Sequence, residues 1–72
     1  MKYIIIEIQT MPDGNVANIV TVKDTREEAE SAYHMILAAA AISSLPTHAA
    51  TILDSAGFTV MNQVYHHTKG AE

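Results

Sequence analysis

The fold of this chain is limited first by residues 33–42, YHMILAAAAI, a helical segment in which His34 is the only polar residue. A helix that packs on one small sheet buries one stripe of its surface, and its remaining surface is normally polar. This segment is apolar on nearly every side. The sequence therefore predicts that the helix contacts a second surface, which could belong to another copy of the chain, a different protein or an apolar ligand.

The ends of the helix are marked by a capping signal and a proline. Overlapping capping boxes begin at Asp24 and Thr25, and Pro46 disfavours helical geometry at the residue before it. At about 100° per residue, the helix presents two neighbouring apolar stripes. The stripe predicted to face the sheet contains Ala29, Ala32, Tyr33, Ile36, Ala39, Ala40 and Ser43, and the stripe beside it, the helix flank, contains Met35, Ala38 and Ile42.

Two strands are predicted before the helix. Residues 2–10 and 16–23 are rich in β-branched side chains, and the Pro, Asp and Gly of residues 11–14 favour a hairpin turn with Gly14 in the left-handed conformation. The resulting register places apolar residues on both faces of the hairpin. One face carries Ile4, Ile6 and Ile8 with Val20 and Val22, and the opposite face, predicted to lie outside, carries Tyr3, Ile5 and Ile19, which also need cover.

A second hairpin is predicted from residues 47–53 and 58–67, joined by a turn at 54–57. The chain is then an α+β domain of type ββαββ over residues 1–67, with a frayed tail at 68–72. Its helix packs on one face of a four-stranded, mainly antiparallel sheet. A helix that crosses over between strands two and three leaves room for strand one between them, which predicts the strand order 2-1-3-4.

Composition limits the classes of function. A domain of 72 residues typically buries only about 60% of its unfolded-chain surface, so association would add core. Cysteine is absent, which excludes disulfides and thiolate metal sites and suits the cytoplasm. The net charge is −4 with four scattered Lys and Arg, so no nucleic-acid partner is expected. The apolar residues 3–8 are too few for a signal peptide or a membrane span, and we expect a soluble, unprocessed chain.

Histidines are the main candidates for chemistry. If the second hairpin continues the register of its turn, His48 and His66 project from one sheet face, roughly 5 to 8 Å apart at Cβ, and could share a metal. A third ligand is missing, and the simpler interpretation is two partly exposed histidines at the sheet margin. The sequence contains no nucleophile, calcium or phosphate-binding motif. We therefore predict no catalytic residue and no cofactor.

Two hypotheses follow, with a third that lacks residue-level support, the regulation of a larger partner. The first is a non-enzymatic interaction module that forms a homodimer or a larger assembly, or binds an unknown protein partner. Its contact would be the helix flank or the outer sheet face, namely Tyr3, Ile5 and Ile19 with Met61 and Tyr65. The second is a small-molecule or metal site, enzymatic or not, near His48, His66 and Tyr65.

Residues 24–30 (DTREEAE), 33–34 (YH) and 46–50 (PTHAA) carry a resemblance to known sequences. Together they are similar to small uncharacterised proteins of gut-associated bacteria. The resemblance covers the middle of the chain. It implies no known activity and adds no site residue, and it favours a small bacterial protein that works as a separate chain.

Overall fold

A computed structural model describes residues 1–67 of the chain. The elements are β1 (Tyr3–Thr10), β2 (Val16–Lys23), α1 (Arg26–Ala41), β3 (Thr47–Asp54) and β4 (Thr59–His66). The strands form one sheet in the order β2-β1-β3-β4, and all three pairings are antiparallel. This confirms the ββαββ fold and the strand order. The frayed tail predicted at 68–72 lies outside the described residues.

Both hairpins turn on a glycine in the left-handed region. Gly14 has φ 92° and Gly57 has φ 96°, a conformation that residues with a Cβ rarely adopt. In the first turn the amide N of Met11 donates to the carbonyl of Asn15 at 2.7 Å, and in the second the amide N of Asp54 donates to that of Phe58 at 2.9 Å. The two turns therefore have the predicted geometry, and the first hairpin keeps the predicted register along its whole length.

The helix begins at the second of the two capping boxes. Thr25 is the N-cap, and its hydroxyl accepts from the amide N of Glu28 at 3.2 Å. The Glu27 and Glu28 carboxylates lie in the first turn, where the helix dipole favours negative charge. The helix ends at Ala41, four residues before Leu45, the residue that Pro46 restricts. None of the helices in residues 1–67 has the length and apolar character needed to cross a membrane.

The core lies between α1 and one face of the sheet. Ile5 and Ile52, opposite one another on β1 and β3, are fully buried and pack in one cluster with Tyr33 of the helix. Ala29 and Ala50 in the same cluster are also fully buried. These alanines let the helix approach the sheet closely enough to enclose the Tyr33 ring, since larger side chains would hold the two layers apart.

The helix covers the opposite sheet face from the one predicted. Ile5 is 0% exposed and Tyr3 packs against the core, so neither lies on an outer face, and Met61 also packs beneath the helix. Ile19 is on the same side of the sheet, beyond the helix, and is 55% exposed. Alternation could not choose the face, because β1 carries isoleucine on both sides.

A β-bulge changes the register of the second hairpin. Leu53 pairs with Thr59 as predicted, but Ile52 pairs with Met61, so Val60 is an extra residue on β4. From that point to the end of β4, each residue faces the opposite side from the predicted one. His48 is therefore opposite Tyr65, and His66 is opposite Thr47 on the other face of the sheet.

Candidate functional site

The sheet face without the helix is the largest feature that the core does not use. It consists of four rows of four paired residues, one from each strand, and we call it the open face. Across β2, β1, β3 and β4, its rows are Val22, Ile4, Leu53 and Thr59; Val20, Ile6, Thr51 and Asn62; Asn18, Ile8, Ala49 and Val64; and Val16, Thr10, Thr47 and His66.

The open face is apolar and uncharged. Nine of its sixteen residues are Ala, Val, Leu or Ile, and none is Asp, Glu, Lys or Arg. Val16, Val20 and Val22 are 63%, 56% and 55% exposed. Ile4, Ile6 and Ile8, the three isoleucines of β1 on this face, are half-buried. The charged strand residues, Glu7, Lys23 and Asp54, all project from the helix-bearing face. The sequence pattern predicted Ile4, Ile6, Ile8, Val20 and Val22 to share one face, as they do, but under the helix.

The helix flank is exposed, as its proposed role requires. Met35 is 71% exposed and Ile42 is 88% exposed, and Ala38 between them is also exposed. Leu37, on the other side of the helix, packs partly against the core. Ala39 and Ala41 are exposed as well, so the apolar surface that the helix presents to solvent extends beyond the flank, and Ala39 does not face the sheet as predicted. Whether the helix flank is a contact surface stays a prediction.

Glu7 and His48 form a largely buried polar pair on the helix-bearing face of the sheet. The Nε2 atom of His48 on β3 is 2.6 Å from the Oε2 atom of Glu7 on β1, and their side chains are only 5% and 16% exposed. Gln9 donates to the same carboxylate oxygen at 2.9 Å. A carboxylate accepts, so His48 donates through Nε2, and in the neutral ring the lone pair is on Nδ1. Nδ1 is buried and has no hydrogen-bond partner among residues 1–67.

His67 extends this polar region to the end of the helix. Its Nε2 atom donates to the carbonyl oxygen of Ala40 at 2.7 Å, which also accepts from the amide N of Ser43 at 3.2 Å where the helix ends. Its ring stacks on that of Tyr65, with centroids 6.2 Å apart. His67 thereby links β4 to the helix C-terminus. The role of His67 could not be predicted from the sequence, because His67 follows the bulge that reverses the faces.

The structure separates the two histidines that were candidate metal ligands. His48 projects beneath the helix, and His66 projects from the open face, so the two cannot bind one metal ion. The bulge on β4 causes this difference from the expected register. Across residues 1–67, no three His, Cys, Asp or Glu side chains are grouped closely enough to hold a metal.

Glu7 is the functional-site candidate that sequence reasoning missed. A charged residue between Ile6 and Ile8 was a visible signal, because a buried carboxylate needs a partner. That partner is His48, 41 positions away on a strand that no hairpin turn connects to β1. The sequence therefore showed that Glu7 is unusual but not what it binds.

Tyr33 supplies a test of the core at high pH. Burial of its ring raises the pKa of Tyr33 above the ordinary 10.0, and the negative charge of a nearby Tyr65 phenolate adds to the effect. A raised pKa means that the neutral phenol is favoured in the folded state, so this stability is present below pH 10.0 and is lost as the pH rises through the folded-state pKa. In guanidinium unfolding experiments, we expect the Tyr33→Phe variant to lose less stability between pH 8 and 11 than the parent protein loses. Equal losses in both proteins would contradict this.

Comparison of the chain with protein-family models, with curated proteins and with solved structures finds no match. The candidate functional features of the chain are therefore the open face, the helix flank and the Glu7–His48 pair. The resemblance to small proteins of gut-associated bacteria stays a prediction.

Proposed function

We propose that this chain is a non-enzymatic interaction module that associates with itself through the open face. The observation that carries the proposal is an uncharged, largely aliphatic sheet face that no other element of residues 1–67 covers. Contiguous apolar patches larger than a few hundred Å² are rare on monomeric proteins and mark contact sites.

The size of the open face suits a second copy. Four strands of eight residues span roughly 26 by 19 Å at about 3.3 Å per residue and 4.8 Å per strand, or about 500 Å². Two such faces in contact would bury about 1,000 Å², the size at which specific interfaces begin. Stacked sheets pack about 10 Å apart with interdigitated side chains, an arrangement that branched aliphatic residues fill well.

The absence of charge on the open face also favours a second copy. A face with charged residues would meet like charges across a two-fold axis, whereas two uncharged faces do not repel one another. A partner that binds through ion pairs would find no charged residue among the sixteen of this face. The helix flank offers only three residues and a smaller area.

The test is the solution mass of Ile6→Lys. Ile6 lies on a central strand in the second row of the open face, so a lysine there would point into solvent in a free chain and into the apolar contact in a dimer. We expect the mass measured by size-exclusion chromatography with light scattering to halve, with the far-UV circular dichroism unchanged.

Met35→Lys is the matched control on the helix flank. Met35 is 71% exposed, so its replacement should not disturb the fold. We expect the parent mass to be retained. A mass halved by Met35→Lys and unchanged in Ile6→Lys would move the contact to the helix flank, and a monomeric parent at high micromolar concentration would exclude self-association.

A small-molecule or metal site near His48 has less support. Its Nε2 atom is engaged by Glu7, which leaves Nδ1 as the only free ligand atom of that ring. An imidazole held by a carboxylate in this way is typical of metal-binding histidines, but other ligands are also needed. His66, the second residue in the original hypothesis, lies on the opposite face.

A further inference from the structure

The two edge strands of the sheet differ in how they are protected from pairing. An edge strand exposes unpaired backbone N–H and C=O groups, and proteins normally block them with bulges, prolines, charges or polar side chains. On β4, the bulge at Val60 interrupts the strand. Its most exposed residues are also all polar, namely Thr59, Asn62, Gln63 and His66.

The edge strand β2 is less protected, since its only charged residue, Lys23, is at its end and its only exposed polar residue is Asn18. Its eight residues pair with β1 without a register shift, and it contains no proline. Four of its aliphatic side chains are more than half exposed, and they lie on both sides of the sheet. Val16, Val20 and Val22 are on the open face, and Ile19 is on the helix-bearing face. Cover for the open face alone would leave Ile19 and the backbone edge exposed.

We propose that β2 pairs antiparallel with β2 of a second copy, which joins two sheets edge to edge into one sheet of eight strands. A second strand can hydrogen-bond to the whole row of unpaired backbone N–H and C=O groups along the edge of β2. Among the registers available to two copies related by a two-fold axis, one places Ile19 opposite Ile19 of the second copy.

Charge complementarity favours a second copy as the owner of that strand. In this register, Lys23 at one end of β2 lies opposite Asn15 of the second copy and beside its Asp13, and the same contact repeats at the other end. Two ammonium–carboxylate contacts then flank a pairing whose centre is aliphatic. Lys23, the single charged residue of β2, then lies next to Asp13, the acid of the turn that precedes the opposite strand.

This contact goes beyond the proposed function and does not depend on it. Edge pairing leaves both open faces on the same side of the joined sheet, because the two-fold axis is perpendicular to the sheet. The two contacts are compatible, and together they give a tetramer of two stacked eight-stranded sheets.

The test combines one substitution for each contact with light-scattering masses. Ile19→Lys places two lysines side by side at the proposed two-fold axis, and cross-strand like charges oppose pairing. We expect the parent to be a tetramer, Ile19→Lys and Ile6→Lys each to give half that mass, and the double variant to give a quarter of it. Gln63→Lys is the control, because Gln63 occupies the same row on the other edge, and it should keep the parent mass.

A charge-swap mixture separates edge pairing from loss of folding. Ile19→Glu alone should behave as Ile19→Lys does, and an equimolar mixture of the two should regain the full mass, because each two-fold axis then carries one lysine and one glutamate. An unchanged mass in Ile19→Lys, or no recovery in the mixture, would overturn the edge pairing. A dimeric parent that Ile6→Lys makes monomeric and Ile19→Lys leaves unchanged would keep the proposed function and reject this inference.

Discussion

Ile5→Ala is expected to lower the free energy of unfolding by about 2–5 kcal/mol, the usual cost of truncating a buried isoleucine. Ile5 is fully buried between Ile52 of β3 and Tyr33 of the helix, so the lost side chain leaves a cavity that neither layer can fill without moving. A domain of this size has about 3–5 kcal/mol in total, so most of the stability would be lost. Guanidinium unfolding monitored by circular dichroism measures the change.

Ile4→Ala is the matched control for Ile5→Ala. Ile4 is the preceding residue on the same strand, but it projects from the open face and is only half-buried. In an Ile6→Lys background, where the open face is uncovered, we expect Ile4→Ala to cost about 1 kcal/mol. The reverse order of the two effects would mean that the helix covers the other face. If Ile5→Ala does not fold, Ile5→Val should still cost about 0.5–1.5 kcal/mol.

The pair of substitutions measures the feature that the sequence left open. Runs of β-branched residues, turn glycines and a capping box predicted the strands and the helix. The crossover rule predicted the strand order. The face of the sheet depended on β1, where Ile4, Ile5 and Ile6 are consecutive and alternation gives no answer. Only Glu7 distinguished the two faces, and its meaning depends on the pairing of β1 with β3, which no local turn specifies.

The error in the second hairpin has a different physical cause. The turn at Gly57 fixes the pairing of Leu53 with Thr59, and nothing in the residues that follow marks a bulge. Val60 is β-branched and suits a regular strand as well as a bulge. Its insertion brings Met61 onto the core and moves His66 to the open face. One inserted residue therefore places His48 and His66 on opposite faces, so the predicted histidine site does not form.

Replacing Glu7 with Met is expected to lower the free energy of unfolding by about 3 kcal/mol, because it leaves both ring nitrogens of the buried His48 without a partner among residues 1–67. The carboxylate of Glu7 now accepts from His48 and from Gln9. Glu7→Gln keeps an oxygen of the same reach that can accept from His48, so its cost should be about 1 kcal/mol. Chemical unfolding of both variants at pH 7.5 gives the comparison.

A double-mutant cycle shows whether this cost belongs to the pair. In Glu7→Met with His48→Met, the buried polar groups are replaced together by apolar side chains of similar size, an exchange that is often neutral or stabilising. We expect the double variant to be more stable than Glu7→Met alone, which would show that the single variant is penalised by the histidine it leaves behind. Equal costs for Glu7→Met and Glu7→Gln, with additive effects in the double variant, would mean that His48 does not depend on Glu7. Recovery of stability in the double variant would show that the fold does not require the Glu7–His48 pair. The presence of this buried pair would then need an explanation other than stability.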